Sequence, residues 1–393
     1  KYGFGKGFDY YASGMLSEDE LQQRARKLAM EKEARGEKFT PMDMISLRDH
    51  LSHVDITSPR INELGLDFLD SNSEDPFFLF LHYFDAHYDH IPEKMELGLG
   101  KKFDPSYQGN FSPDNWYFSP AVRTTDPQTH RPVRKIGERD LGHIKAYYDA
   151  EIHWIDRHIG NVVSRLKELG AYENTVIAVI ADHGDEFFEH GNIGHRMTLF
   201  PEVLKVPMIL RLPESPVPGK RVAEVVRLYD VAPTLLDFAG LPKMKEAQGL
   251  SVRPYVQGNS TSPRGAISQL SQVQQFNNMG RMQWRAQTQE VWRDQRFSIF
   301  RTLTCNPFDD GSSQFPVFRQ ASGPGRPVYL FFDRQKDPWE RNNLPLTHPD
   351  FSGALSRYIA DSRNAQKSQS ALPASPASAR YPQVMTEIEV QAL

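Results

Sequence analysis

Apolar and polar positions divide the chain into a few long helical patterns, several short strand-like runs and wide polar stretches. Residues 176–181 and 206–212 are apolar runs that flank a polar segment holding Asp182, His183, Asp185, Glu186, Glu189, His190 and His195. The first run is unbroken rather than alternating, which is the pattern of a strand buried on both faces of a parallel sheet. Residues 76–84, PFFLFLHYF, repeat the pattern and also empty into an acid and a histidine, Asp85 and His87. In open α/β sheets ligands gather beyond the C-terminal ends of the strands, so both exits are candidate site loops.

Helical spacing is clear in four places. Residues 17–35 begin with Ser17 and Glu20 in capping-box spacing and put Leu21, Ala25, Leu28 and Ala29 on one face. Residues 56–69 predict a helix starting near Thr57 or Ser58, with Pro59 in its first turn. In 138–169 the apolar positions Leu141, Ile144, Tyr148, Ile152, Ile155, Ile159, Val163 and Leu166 recur at helical spacing up to Gly170, as in an amphipathic helix packed on a sheet. Residues 230–240, DVAPTLLDFAG, predict a short helix with an Asp cap. Between them, 97–134 read as an irregular excursion. Beyond Leu241 the composition becomes polar and mixed over 257–289, followed by strand-like runs at 296–303 and 327–332. The expected architecture is α/β: a mostly parallel central sheet with helices on both faces over residues 1–256, and a small C-terminal antiparallel-sheet subdomain over 257–363. Residues 364–393, rich in Ser, Ala, Pro and Gln, are expected to be a disordered tail.

Composition narrows the function classes. With 46 basic against 50 acidic residues the net charge is -4, which gives no global attraction to nucleic acid or to an anionic membrane. No apolar run approaches the ~20 residues that span a bilayer. The single cysteine, Cys305, excludes an intrachain disulfide and a cysteine-based metal cluster. Six of the 13 histidines fall within 82–90 and 182–195. His82 reads as a core histidine, His90 and His190 as turn residues, and His143, His153 and His158 as solvated or packing residues of a helix. Asp182, His183, His87 and His195 are the candidate site residues, because each follows a strand or a glycine turn. An acid beside an imidazole can hold a divalent cation if the turn points both inward.

FLHYFDAH at 80–87, YDAEIHWID at 148–156, NTVIAVIADHGDEFFEHGNIGH at 174–195, LFPEVLKVPMILRLP at 199–213, LYDVAPTLLDFAGLP at 228–242 and LFFDRQKDPWERNNL at 330–344 together resemble the sulfatase family. The resemblance implies an alkaline-phosphatase-like α/β fold and metal-dependent hydrolysis of small-molecule or glycan sulfate esters. The nucleophile it implies is a formylglycine made within a Cys/Ser-x-Pro-x-Arg motif. Asp182 and His183 resemble the second pair of metal ligands, His87 the histidine that contacts the sulfate, and His195 a substrate-binding lysine or histidine. The metal implied is calcium, although an imidazole ligand suits zinc or manganese better. In the family the first pair of metal aspartates, the nucleophile motif and a basic Lys/His pair lie before the region resembling GFGKGFDYY, and residue 1 falls after them. A fragment, inactive alone, is therefore expected. Cys305, in CNPFD, has Asp309 where the motif has arginine and reads as structural. Two alternatives remain: a phospho- or phosphonate-ester hydrolase or transferase of the same superfamily, and a non-catalytic relative that binds sulfated glycans. Family analogy places such proteins in the periplasm, outside the cell or in lysosomes.

Overall fold

The computed structural model describes residues 7–36, 51, 56–87, 90–113, 116, 121–125, 132–195, 198–213, 219–245, 247–259, 264–278, 281–305 and 328–370. The chain forms two compact units, one of residues up to Thr124 with Arg134–Thr175, the other of Thr125–Val133 with Val176 onward.

The first unit contains α1 (Glu18–Ala34), α2 (Ser58–Asn72), the short helices α3 (Pro92–Met95) and α4 (Leu99–Phe103), strand β1 (Arg123–Thr125) and the long α5 (Glu138–Glu168). The capping box of α1 forms as its sequence predicts, Ser17 Oγ accepting from the Glu20 amide while the Glu20 carboxylate accepts from Ser17. Helix α2 buries Ser58, Asn62, Gly65 and Leu69, one helical stripe. Gly65 matters here because a Cβ would meet the Leu81 side chain at 3.1 Å, so glycine lets the 76–84 segment close on α2. That segment forms neither helix nor ladder, and Phe78 and Phe80 are each 62% exposed. The expectation of a buried strand is corrected: an apolar run becomes a strand only where neighbours satisfy its backbone. His82 is exposed and stacks with Phe80, not buried in a core.

Two buried carboxylates lock this unit. Asp85 accepts from the amides of Thr57 and Ser58 at 2.5 and 2.9 Å, from Thr57 Oγ1 at 2.7 Å and from Trp154 Nε1 at 3.1 Å. It therefore holds the start of α2 against α5. Glu151, fully buried on α5, accepts from His90 Nδ1 at 2.8 Å and from the Ile91 amide at 2.6 Å, while the His90 ring stacks on Trp116. Tyr83 donates to Asn62 at 2.7 Å, and burial with Asp85 nearby pushes its hydroxyl up to about 12.

The second unit contains β2 (Pro132–Arg134) in part, β3 (Ile177–Ile180), β4 (Glu186–Phe187), β5 (Ile193–Gly194), α6 (Pro201–Leu204), β6 (Met208–Arg211), α7 (Val231–Phe238) and α8 (Arg253–Val256). After these come β7 (Ala266–Asn278), β8 (Arg281–Arg293), β9 (Phe297–Cys305), β10 (Val328–Asp333) and α9 (Phe351–Ser370). Strands β3 and β6 pair with each other, antiparallel, with Ile177 opposite Arg211. The central sheet expected to be mostly parallel is thus represented by an antiparallel pair, and neither strand is buried on both faces: Ile180 of β3 is 39% and Ile209 of β6 60% exposed. An unbroken apolar run gives a strand but not the direction of its neighbour.

The expected C-terminal antiparallel sheet is present, in the order β10-β9-β8-β7. Alternation along its strands supplies two cores. Trp292, Ile299 and Phe331 face α9, whose Phe351, Ala354, Leu355 and Tyr358 form one helical stripe. Val291, Phe300, Leu330 and Phe332 face Leu199 and Phe200. Helix α9 continues to Ser370, through residues 364–370 that composition assigned to the tail; residues 371–393 lie outside those described. Asp230 precedes α7, but its carboxylate accepts from the amides of Arg227 and Leu250, at 3.0 and 2.8 Å, instead of capping that helix.

Truncating fully buried Phe331 to alanine is expected to lower the unfolding free energy by about 3–5 kcal/mol, whereas Phe78→Ser changes it by about 0.5 kcal/mol or less. Urea titration of both variants checks the contrast.

Candidate functional site

The polar segment after β3 folds back through a minimal hairpin. Glu186 pairs with Gly194 and Phe187 with Ile193, and the turn between them is closed by Phe188 N–H donating to the Asn192 carbonyl at 2.8 Å. Carried one step outward, that register sets Asp185 opposite His195. The Nδ1–H of His195 donates to Asp185 Oδ1 at 2.7 Å, with both side chains largely buried. A carboxylate on Nδ1 fixes the ring and its tautomer and stabilises the imidazolium, so Nε2 carries the chemistry of this histidine.

His183 stands against it, the two ring centroids 3.9 Å apart and tilted by 35°. Its Nδ1–H donates to the Gly184 carbonyl at 3.1 Å, which leaves the Nε2 lone pair as the ligand atom. Gly184 is required at this turn: its N–H donates to the Val203 carbonyl at 2.8 Å, and a Cβ would collide with the carbonyl of Glu202. Asp182 is 77% exposed, its Oδ1 accepts from the His183 amide at 2.9 Å, and its Oδ2 lies 3.7 Å from His183 Nε2.

Two donor sets share His183. One is Asp182 with His183 Nε2, close enough for a single cation to bridge. The other is His183, Asp185 and His195, whose ligand atoms all lie within 4.8 Å of one another. Mixed nitrogen and oxygen donors fit a divalent transition ion such as zinc or manganese better than calcium. The structure thus brings together Asp182, His183 and His195 of the residues expected from sequence. His87 belongs to the first unit, where its ring stacks on Phe84 at 4.6 Å. Asp185 was not singled out by sequence, although its place ten residues before His195, on the two arms of a glycine-containing hairpin, was the signal that could have found it.

Beneath the hairpin is a buried polar knot. The Glu186 carboxylate accepts from the amides of His190 and Asn192, at 2.9 and 2.8 Å, and from Thr198 Oγ1 at 3.0 Å. Burial raises its pKa above the usual carboxylate value. His190 stacks flat on Phe200 at 3.6 Å, lies 3.1 Å from Glu202 Oε1 through Nδ1, and through Nε2–H donates to the Glu340 carbonyl at 3.1 Å. Burial alone would lower the His190 pKa, but Glu202, the Glu340 carbonyl and Glu186 together outweigh it and hold the group above the ordinary imidazole value of 6.5. Arg293, at the end of β8, makes a two-pronged ion pair with Glu340, at 2.7 and 2.6 Å, and donates to the Leu199 carbonyl at 2.7 Å. Glu340 adopts the left-handed backbone conformation, with φ 56°. Asn343 and Leu344 then strap β10, Asn343 Oδ1 accepting from the Phe331 amide at 2.9 Å and the Leu344 amide donating back to the Phe331 carbonyl at 2.7 Å.

The loop that leaves β3 thus carries a His/Asp cluster whose atoms could hold a divalent cation. The sulfatase family profile matches residues 3–241, more than half of the chain, and the chain belongs to the sulfatase family. It is 23% identical over 227 residues to arylsulfatase K of Bos taurus, covering 57% of this chain and 37% of that protein. It is 31% identical over 116 residues to N-acetylglucosamine-6-O-sulfatase of Bacteroides thetaiotaomicron, covering 30% and 21% respectively. Among solved structures, phosphonate monoester hydrolase from Silicibacter pomeroyi shares the fold with a TM-score of 0.53 at 21% identity, covering 83% of this chain and 62% of that one. The chain spans well under half the length of the two curated relatives named. The bare Ser-x-Pro-x-Arg spacing occurs at Ser322, Pro324 and Arg326, outside the described residues.

Arg293→Ala, which strands the buried Glu340 carboxylate, is expected to destabilise the protein by about 3–5 kcal/mol, measured by chemical denaturation. The raised His190 pKa has a definite sign: its stabilisation is complete below the unfolded value of 6.5 and is lost as pH rises through the higher folded value. The urea midpoint should therefore fall as pH is raised above 6.5, and fall less in His190→Gln.

Proposed function

We propose that this is a metal-dependent hydrolase of sulfate esters, with Asp182 and His183 as metal ligands and His87 and His195 as the residues that meet the ester. The observation that carries the reading is the Asp185–His195 pair at 2.7 Å beside the ring of His183, which sets a held proton donor next to a cation ligand. When a sulfate ester breaks, negative charge develops on the bridging oxygen. His195 gives the proton on Nε2 to that oxygen as it leaves, and Asp185, bonded to Nδ1, holds the ring in line. A divalent cation, when bound, supplies positive charge to the anionic ester. The reading takes a formylglycine, the nucleophile of the sulfatase family, as the attacking group, and residues 1–256 as the sulfatase-type domain. Residues from 257 to the end of α9 then form the C-terminal subdomain.

The second reading, a phosphonate- or phosphate-ester hydrolase, is favoured by the nitrogen-containing donor set, which suits zinc or manganese. Metal analysis with parallel assays of aryl sulfate and aryl phosphonate esters separates the two. In protein that carries the nucleophile, His195→Ala is expected to lower kcat about 10²–10⁴-fold. Asp182→Ala should abolish bound metal together with turnover. Retained metal and turnover in Asp182→Ala would remove this assignment.

A further inference from the structure

A cleft of about 270 Å³ opens beside the candidate site, lined by Asp185, Glu189, Glu202, Lys205, Trp339 and Arg341. It abuts the proton donor, because Asp185 both lines the cleft and holds His195. The three acids already face donors: Asp185 faces His195, Glu202 faces His190 at 3.1 Å, and Glu189 accepts from the Phe187 amide at 2.5 Å. The cations are different. Lys205 and Arg341 are exposed, and among the described residues neither takes part in an ion pair, although three carboxylates line the same cleft. Trp339, 44% exposed, lines the same cleft, with the Lys205 ammonium 5.3 Å from the ring centroid.

An exposed indole at the edge of a small cleft suits the apolar face of a sugar ring, and unpaired cations beside it suit an anion carried by that ring. We infer that Trp339, Lys205 and Arg341 form a subsite for a sugar bearing a sulfate or carboxylate, the unit next to the one whose ester is cleaved. The inference rests on the sulfate-ester reading for its place in the reaction, but binding at the cleft does not depend on that reading. It assigns the recognition of an acidic glycan to the segment after β10 together with Lys205 at the end of α6, with the indole supplying stacking and the two cations supplying charge selectivity.

The test is calorimetric titration of the chain with a sulfated uronate–hexosamine disaccharide and with its unsulfated counterpart. Expected are binding of the sulfated sugar that weakens as salt is raised, a ~5–10-fold loss of affinity in Trp339→Ala, and a comparable loss in the Lys205→Ala/Arg341→Ala double variant. All three positions are exposed, so these variants keep the fold, which circular dichroism verifies. No binding, or equal binding by the wild type and both cleft variants, overturns the subsite. In protein carrying the nucleophile, Trp339→Ala should raise KM for the disaccharide sulfate and leave kcat/KM for a small aryl sulfate unchanged; an equal effect on both substrates also overturns it. Glycan binding that survives in a protein without sulfate-ester turnover supports the subsite while removing the hydrolase reading.

Discussion

The arrangement of the second unit depends on one buried ion pair, Arg293 with Glu340. Removing two charges from water is so unfavourable that such a pair persists only if its remaining hydrogen-bonding capacity is used. Here it is. Arg293 also reaches the Leu199 carbonyl, and the Glu340 carbonyl takes the Nε2–H of His190. Those two bonds fix the segment that seats Leu199 and Phe200 in one core of the C-terminal sheet. That segment continues into α6, whose Val203 carbonyl receives the Gly184 amide and so holds the turn carrying His183. A sheet far along the sequence thus sets the position of residues at the candidate metal site.

Much of this was legible in the sequence, for reasons that can be named. The helices with sustained apolar spacing, 17–35, 56–69 and 138–169, form within a few residues of where they were expected, because burying one stripe is nearly the whole requirement for an amphipathic helix. Strand pairing was less legible. The 257–289 stretch is polar and mixed, yet it supplies all of β7 and most of β8, strands of 13 residues each, since a strand's stability resides in its neighbours more than in its own letters. The same dependence explains why the apolar 76–84 run forms no ladder and why β3 takes an antiparallel partner.

The site was legible in its ligands and less so in its supports. Asp182, His183 and His195 are close because the hairpin between them is short and glycine-rich, which sequence spacing conveys. That Asp185 is the residue holding His195 follows only from the register. Other residues of the family-like stretches prove to be fastenings: Asp85 and Glu151 in the first unit, Asp230 and Glu340 in the second, each a buried carboxylate collecting amide or guanidinium donors. A carboxylate that gathers backbone donors and one that grips a cation share the same letter, so sequence cannot separate them without the burial that distinguishes them.

The backbone of Glu340 places that residue between two incompatible demands. Its left-handed conformation is one that glycine or asparagine adopts readily and that other residues adopt at a penalty of roughly 1–3 kcal/mol. Either replacement would relax the turn and discard the anion that Arg293 requires, while aspartate would keep the charge on a stem too short for the same two-pronged contact. Random mutagenesis for thermal tolerance should accordingly leave position 340 untouched and find its gains at the exposed apolar positions, where no such conflict exists.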